Sequence, residues 1–260
     1  NKGASVTQLK ARIRLPSVIG WETDFLLYSH MKNLIILHGA LGAKSQFEQL
    51  ASQLKEHFIV YTLEFEGHGS KAGDSIDFSI ELFAQNLKEF MQENNIQKPL
   101  IFGYSMGGYV ALKLESQYPG SIEKLVTLGT KFDWNPESAE KEAKMLNAEK
   151  IAEKVPAFAN YLKSLHGEEN WKAVLERTAK MMLQLGNKPA LKPYDFHHIQ
   201  IPVCLLRGEK DGMVSKEETV NVQGLLANAN FEEIADWAHP INLISPEELT
   251  QQLLRLYLPG

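Results

Sequence analysis

Short apolar runs alternate through most of the chain with stretches whose apolar residues recur at helical spacing. Residues 34–37, 58–63, 100–102, 124–128 and 203–206 read as strands, and a further one falls near 230–234. Between the first two, Phe47, Leu50, Ala51 and Leu54 stand at i, i+3, i+4 and i+7, with Ser45 and Glu48 spaced as a capping box. Phe83, Leu87, Phe90 and Met91 repeat on one face of a second helix. Near the end, Ser245, Pro246 and Glu248 suit the N-cap, N1 and N3 positions of a helix with Leu249, Leu253, Leu256 and Tyr257 on its apolar face. The first 30 residues read as antiparallel edge strands. Strand and helix in alternation predict an α/β fold, with a mostly parallel central sheet flanked by helices.

One interval breaks this rhythm. About 70 residues separate the strand ending near Gly129 from the one starting near Ile201, where a parallel crossover needs only a dozen or so. Residues 137–147, 156–166 and 171–185 each lack internal proline and carry apolar residues at helical spacing. The organisation expected is a core of residues 1–133 and 199–260 with a helical cap, 134–198, inserted over the sheet.

Composition narrows the function. The 260 residues, 44% hydrophobic and 23% charged, match an ordinary globular chain. The net charge of -5 is spread without a basic block, which argues against nucleic acid as a partner. The single cysteine, Cys204, sits in an apolar run; it reads as a small core hydrophobe, and neither an intrachain disulfide nor a cysteine zinc site is available. No apolar stretch approaches the roughly 18 residues of a membrane span. No basic region leads into an apolar segment near Asn1, so the setting expected is cytoplasmic. His197 and His198 are adjacent, read as a surface pair, and no metal is expected.

The candidate chemistry begins at Gly103-Tyr104-Ser105-Met106-Gly107, a G-x-S-x-G motif between a strand and a helix. Flanking glycines permit a sharp turn that holds Ser105 in a strained conformation, with its hydroxyl at the sheet edge and a helix N-terminus behind it. A serine hydroxyl needs a base and a carboxylate to orient that base. Asp211 follows a strand and His239 precedes the last helix, giving the order Ser, Asp, His. Asp236, Asp133 and Glu209 are competing acids. His38 and His68 sit in glycine turns and read as locally hydrogen-bonded.

With these residues in place, the chain resembles the α/β hydrolases from about Asn33 to Tyr257. The family's His-Gly-x motif matches His38-Gly39-Ala40, its Gly-His-Gly turn matches Gly67-His68-Gly69, and its nucleophile elbow matches Gly103 to Gly107. Its late acid and histidine fall on Asp211 and His239. The resemblance implies that the backbone N–H groups of Ala40 and Met106 form an oxyanion hole, with Leu41 in place of Ala40 if the loop is shifted by one.

The departures are local. Glu64-Phe65-Glu66 stands where many members begin Asp-x-x, and Ala238 replaces the glycine that often precedes the histidine. Glu66, near the expected pocket mouth, would bias charge preference. Serine at 105 argues against the haloalkane dehalogenase and epoxide hydrolase branches, which place aspartate there. No tandem-glycine HGGG motif occurs.

The activity expected is a serine hydrolase that needs no cofactor and cleaves an ester, thioester or related carbonyl compound through an acyl-enzyme on Ser105. Other activities of the same fold remain open: carbon–carbon bond hydrolase, lactonase, acyltransferase, cofactor-free haloperoxidase, or a small-molecule receptor without turnover. Phe132, Trp134, Met145, Phe158, Tyr161, Leu162, Trp171 and Met182 suggest an apolar pocket for a small to medium acyl or aryl group.

Overall fold

The computed structural model describes residues 31–258, so the edge strands expected in the first 30 residues lie outside it. Six strands form one sheet in the order β2-β1-β3-β4-β5-β6, every neighbouring pair parallel. They are β1 (Asn33–Leu37), β2 (Ile59–Leu63), β3 (Leu100–Tyr104), β4 (Lys124–Leu128), β5 (Val203–Gly208) and β6 (Ala229–Ile234). The sequence pattern locates all six, with ends differing by up to two residues.

Parallel strands connected by helices have both faces covered, and the strand sequences show it. Ile35, Leu37, Ile101, Leu125, Val203 and Leu205 point into one core layer. Their alternates Leu34, Ile36, Phe102, Val126, Cys204 and Leu206 point into the other. Each fully buried Leu or Phe side chain adds about 1.5–3 kcal/mol relative to leaving it in water. Cys204 is one of these packing residues, and burial pushes its thiol up to about 12.

Helices α1 (Glu48–Leu54) and α10 (Pro246–Tyr257) cover the second layer. On the first lie α2 (Ile80–Glu93), α3 (Met106–Gln117) and α9 (Lys216–Leu225), and α2 and α3 pack against each other. Ser245 caps α10 by accepting from Glu248 N, as its spacing predicts. The capping box at Ser45 and Glu48 does not form. Residues Lys44–Phe47 make a 3-10 turn, α1 starts only at Glu48, and Gln46 Oε1 accepts the Ala43 N–H instead. Phe47, the last residue of that turn, is buried in the second layer.

Five helices lie between β4 and β5: α4 (Pro136–Lys144), α5 (Ala148–Lys154), α6 (Pro156–His166), α7 (Trp171–Asn187) and α8 (Pro193–His197). The sequence pattern finds α4, α6 and α7 but misses α5 and α8, whose seven and five residues are too short to show a helical period. Helices α5, α6 and α7 share a small cluster of buried residues, with Ile151, Leu162, Trp171 and Leu175. Further along α7, Val174, Met181 and Leu185 join the main core. One helix thus belongs to both clusters. No helix among the described residues is long and apolar enough to cross a membrane.

Candidate active site

The order β2-β1-β3 reverses the direction of winding at β1, and open parallel sheets bind ligands outside the carboxyl ends of their strands at such a point. The loop after β1 carries Gly39 and Ala40, and the turn after β3 carries Ser105. Topology therefore brings together two segments 65 positions apart.

Ser105 has φ 50° and ψ -117° between β3 and α3, a left-handed conformation that is costly for a residue with a Cβ. The flanking glycines make it possible by close approach. A Cβ on Gly103 would meet Gly108 N at 2.6 Å, and one on Gly107 would meet the Leu37 carbonyl oxygen at 2.7 Å. Ser105 is held from behind as well: its N–H donates to Leu128 O, and its carbonyl accepts from Thr130 Oγ1 at 2.9 Å.

Ser105 Oγ lies 3.3 Å from His239 Nε2, and His239 Nδ1 lies 2.8 Å from Asp211 Oδ2. The other oxygen, Asp211 Oδ1, accepts the N–H groups of Met213 and Val214 at 2.8 and 2.9 Å. Arg207 braces the same loop by donating to the carbonyls of Val214 and Asp211. Burial raises the Asp211 carboxyl, but the His239 hydrogen bond and charge, with the two amides, outweigh it and hold its pKa below the ordinary value. Tyr104 donates to the His239 carbonyl and anchors the histidine loop.

The competing acids lie elsewhere. Asp236 is exposed and pairs with Lys210, the Asp133 side chain accepts from Asn135 Nδ2, and Glu209 accepts from Asp236 N. Ala40 and Met106 line the pocket beside Ser105, and neither amide is bonded to another described residue. Leu41 is not among the residues lining the pocket, and its carbonyl accepts from His166 Nε2.

The pocket at Ser105 encloses about 50 Å³. Its apolar wall includes Ile80, Trp134, Met181, Met182 and Leu185, while Met213 and Val214 close the side toward Asp211. Of the aromatic and methionine residues expected there, Trp134 and Met182 line it and the others do not. Phe132 packs tilted against Tyr109 and edge-on to Phe196, Leu162 and Trp171 belong to the small cluster among the helices between β4 and β5, and Met145 and Phe158 are exposed. Tyr161 instead receives a hydrogen bond from Gln46. Helical spacing identifies apolar faces but not whether they meet a pocket or another helix. Glu66 is not among the lining residues. Lys131, in the loop after β4, and Glu142, in the charged sequence of α4, are, and no motif in the sequence marks either.

Beside the loop after β1, His38, His68 and His166 form a buried cluster, with ring centroids 5.1 Å apart for His38 and His68 and 6.0 Å apart for His68 and His166. His38 donates from Nδ1 to Gly39 O and accepts Phe65 N–H at Nε2; His166 accepts Gly69 N–H at Nδ1 and donates from Nε2 to Leu41 O. These patterns require neutral rings. Burial, reinforced by the His166 charge and opposed by the Gly39 bond, lowers His38 to about 4. His68 is pushed well below its usual value by burial and by His38, and His166 is lowered by burial. Among the described residues His68 bonds only through Nδ1, to Glu66 O. Glu64 keeps the tying role open to a carboxylate at this position: it accepts Lys44 N–H and Ser70 N–H, joining the loops after β1 and β2. Among the described residues no group of three His, Cys, Asp or Glu side chains is placed to hold a metal ion, and His197 and His198 are exposed.

Comparison with known proteins follows the same architecture. The chain is 23% identical over 251 residues to the sn-1-specific diacylglycerol lipase ABHD11 of Danio rerio, covering 87% of this chain and 78% of that protein. It is 30% identical over 97 residues to a probable alcohol acetyltransferase of Wickerhamomyces anomalus, but spans only 28% of that protein's length and 36% of its own. A putative lipase from Acinetobacter baumannii superposes with a TM-score of 0.74 at 19% identity, over 88% of this chain and 84% of the other. A family model described as the alpha/beta hydrolase fold matches residues 32–168, more than half of the sequence, and the chain belongs to that family.

Proposed function

We propose that the protein is a serine hydrolase that cleaves a neutral ester, thioester or related carbonyl compound through an acyl-enzyme on Ser105. The observation that carries this reading is the chain of hydrogen-bonding groups from Ser105 Oγ through His239 to Asp211, opening on an apolar pocket.

In this mechanism His239 Nε2 takes the Ser105 proton as Oγ attacks the substrate carbonyl. Asp211, committed to Nδ1–H, fixes the tautomer that leaves Nε2 free to accept and then stabilises the imidazolium. The Ala40 and Met106 N–H groups hold the oxyanion, aided by the N-terminus of α3. His239 returns its proton to the leaving group, water enters, and the acyl group departs. The insertion, residues 134–198, acts as a cap, since Trp134, Met181, Met182 and Leu185 place its apolar surface over Ser105.

Intact mass spectrometry after exposure to a fluorophosphonate tests this without knowledge of the substrate. The native chain is expected to gain one adduct and Ser105→Ala none; a folded native chain that gains no adduct overturns the reading. The likeness to a probable alcohol acetyltransferase favours a second outcome for the same intermediate, transfer to an alcohol. Product analysis in added ethanol separates the two, since transfer yields an ethyl ester where hydrolysis yields the acid.

A further inference from the structure

Besides its methionine and leucine residues, the pocket beside Ser105 is lined by two charged residues, Lys131 and Glu142. Glu142 sits on α4 with only 6% of its side chain exposed, and its Oε1 stands 3.9 Å from Lys131 Nζ, beyond hydrogen-bond reach. Glu142 Oε2 is buried with no hydrogen-bond partner among the described residues. Leaving a buried carboxyl oxygen unpaired is costly, and a well-packed apolar residue would serve the fold better there. Glu142 lines the pocket, and a polar group that arrives with the ligand would supply the partner that its Oε2 lacks.

Resting on the acyl-enzyme reading, we propose that Glu142 and Lys131 determine specificity by recognising a neutral hydroxyl on the substrate, so that the preferred class is a hydroxyl-bearing ester. A hydroxyl donates to Glu142 Oε2 and accepts from Lys131 Nζ with the same oxygen. A carboxylate in that place would face Glu142, and an ammonium would face Lys131. The remaining wall is apolar and takes the hydrocarbon part. A pocket built to bond a hydroxyl rejects the analogue that lacks it, because its own polar groups are then left unpaired.

The test compares shape-matched esters: 2-hydroxyethyl against propyl butanoate for the alcohol side, and methyl 3-hydroxybutanoate against methyl 3-methylbutanoate for the acyl side. For the native protein kcat/KM is expected to favour the hydroxyl member of at least one pair by about tenfold or more. Glu142→Leu and, independently, Lys131→Met are expected to bring that ratio down to about one, with folding checked by circular dichroism. Glu142→Gln, which keeps an acceptor oxygen, retains part of the preference, which a merely structural role would not predict. Equal rates within both pairs for a native protein that labels with fluorophosphonate overturn this inference and leave the hydrolase reading standing. Absence of both labelling and hydrolysis overturns the hydrolase reading and this inference with it.

Discussion

A Cβ on Gly129 would stand 3.1 Å from Asp211 Oδ2, because the backbone just past β4 passes directly behind the bond from Asp211 to His239. The same atom would lie 3.2 Å from His239 Nδ1, and Gly129 has φ 61°. Gly129→Ala therefore meets both a strained backbone and a crowded hydrogen bond. It is expected to destabilise the fold by about 1–2 kcal/mol and to slow fluorophosphonate labelling by at least tenfold, although no proposed catalytic group is altered. Denaturant unfolding and labelling kinetics on one preparation check both halves.

Ser105 is strained in the same left-handed region. Glycine adopts that conformation freely while alanine keeps the Cβ penalty. Ser105→Gly is expected to be more stable than Ser105→Ala by about 1 kcal/mol, with labelling lost in both. Equal midpoints of thermal unfolding would show that the turn stores no strain.

Asp211→Asn preserves shape and can still accept the Met213 and Val214 amides, but it presents an NH₂ to His239 Nδ1. The imidazole must then carry its proton on Nε2, where it can no longer accept from Ser105. In serine proteases the same change costs about 10⁴ in turnover; a loss of about 10³–10⁴ in kcat is expected here, with KM little altered. Steady-state kinetics on any ester the native protein accepts measures it.

The histidine cluster sets an acid limit on stability. His38 is lowered from 6.5 to about 4, so below pH 6.5 the unfolded chain binds a proton that the folded chain refuses. The stability of the neutral state is complete above pH 6.5 and is lost as pH falls toward 4, by on the order of 3 kcal/mol for His38 alone. Asp211 acts lower on the scale: its depressed carboxyl supports the fold above the ordinary aspartate value and loses that effect as it protonates. Unfolding free energies from pH 8 to 4 are expected to fall most steeply below 6.5, and His38→Gln is expected to flatten that slope.

The sequence by itself determined the strands, the long helices and the turn at Ser105. Each of these depends on neighbours in the chain: a two-residue period, a helical period, or glycines beside the residue they leave room for. Ser105 was therefore nameable from a local motif, whereas His239 came from its order along the chain and Ala40 and Met106 from the family resemblance. Asp211 was the leading acid by its place in the chain order, with Asp133, Glu209 and Asp236 as competitors; that Asp211 is the carboxylate at His239 Nδ1 is visible only in the tertiary structure, because a distant loop brings it there. The tertiary structure also decided which apolar residues of the insertion face Ser105, turning Met182 inward while Met145 stays exposed. Lys131 and Glu142 meet at the pocket for the same reason. Helical spacing records only that a side chain lies on a face; what that face meets is set by the packing of segments far apart in the chain.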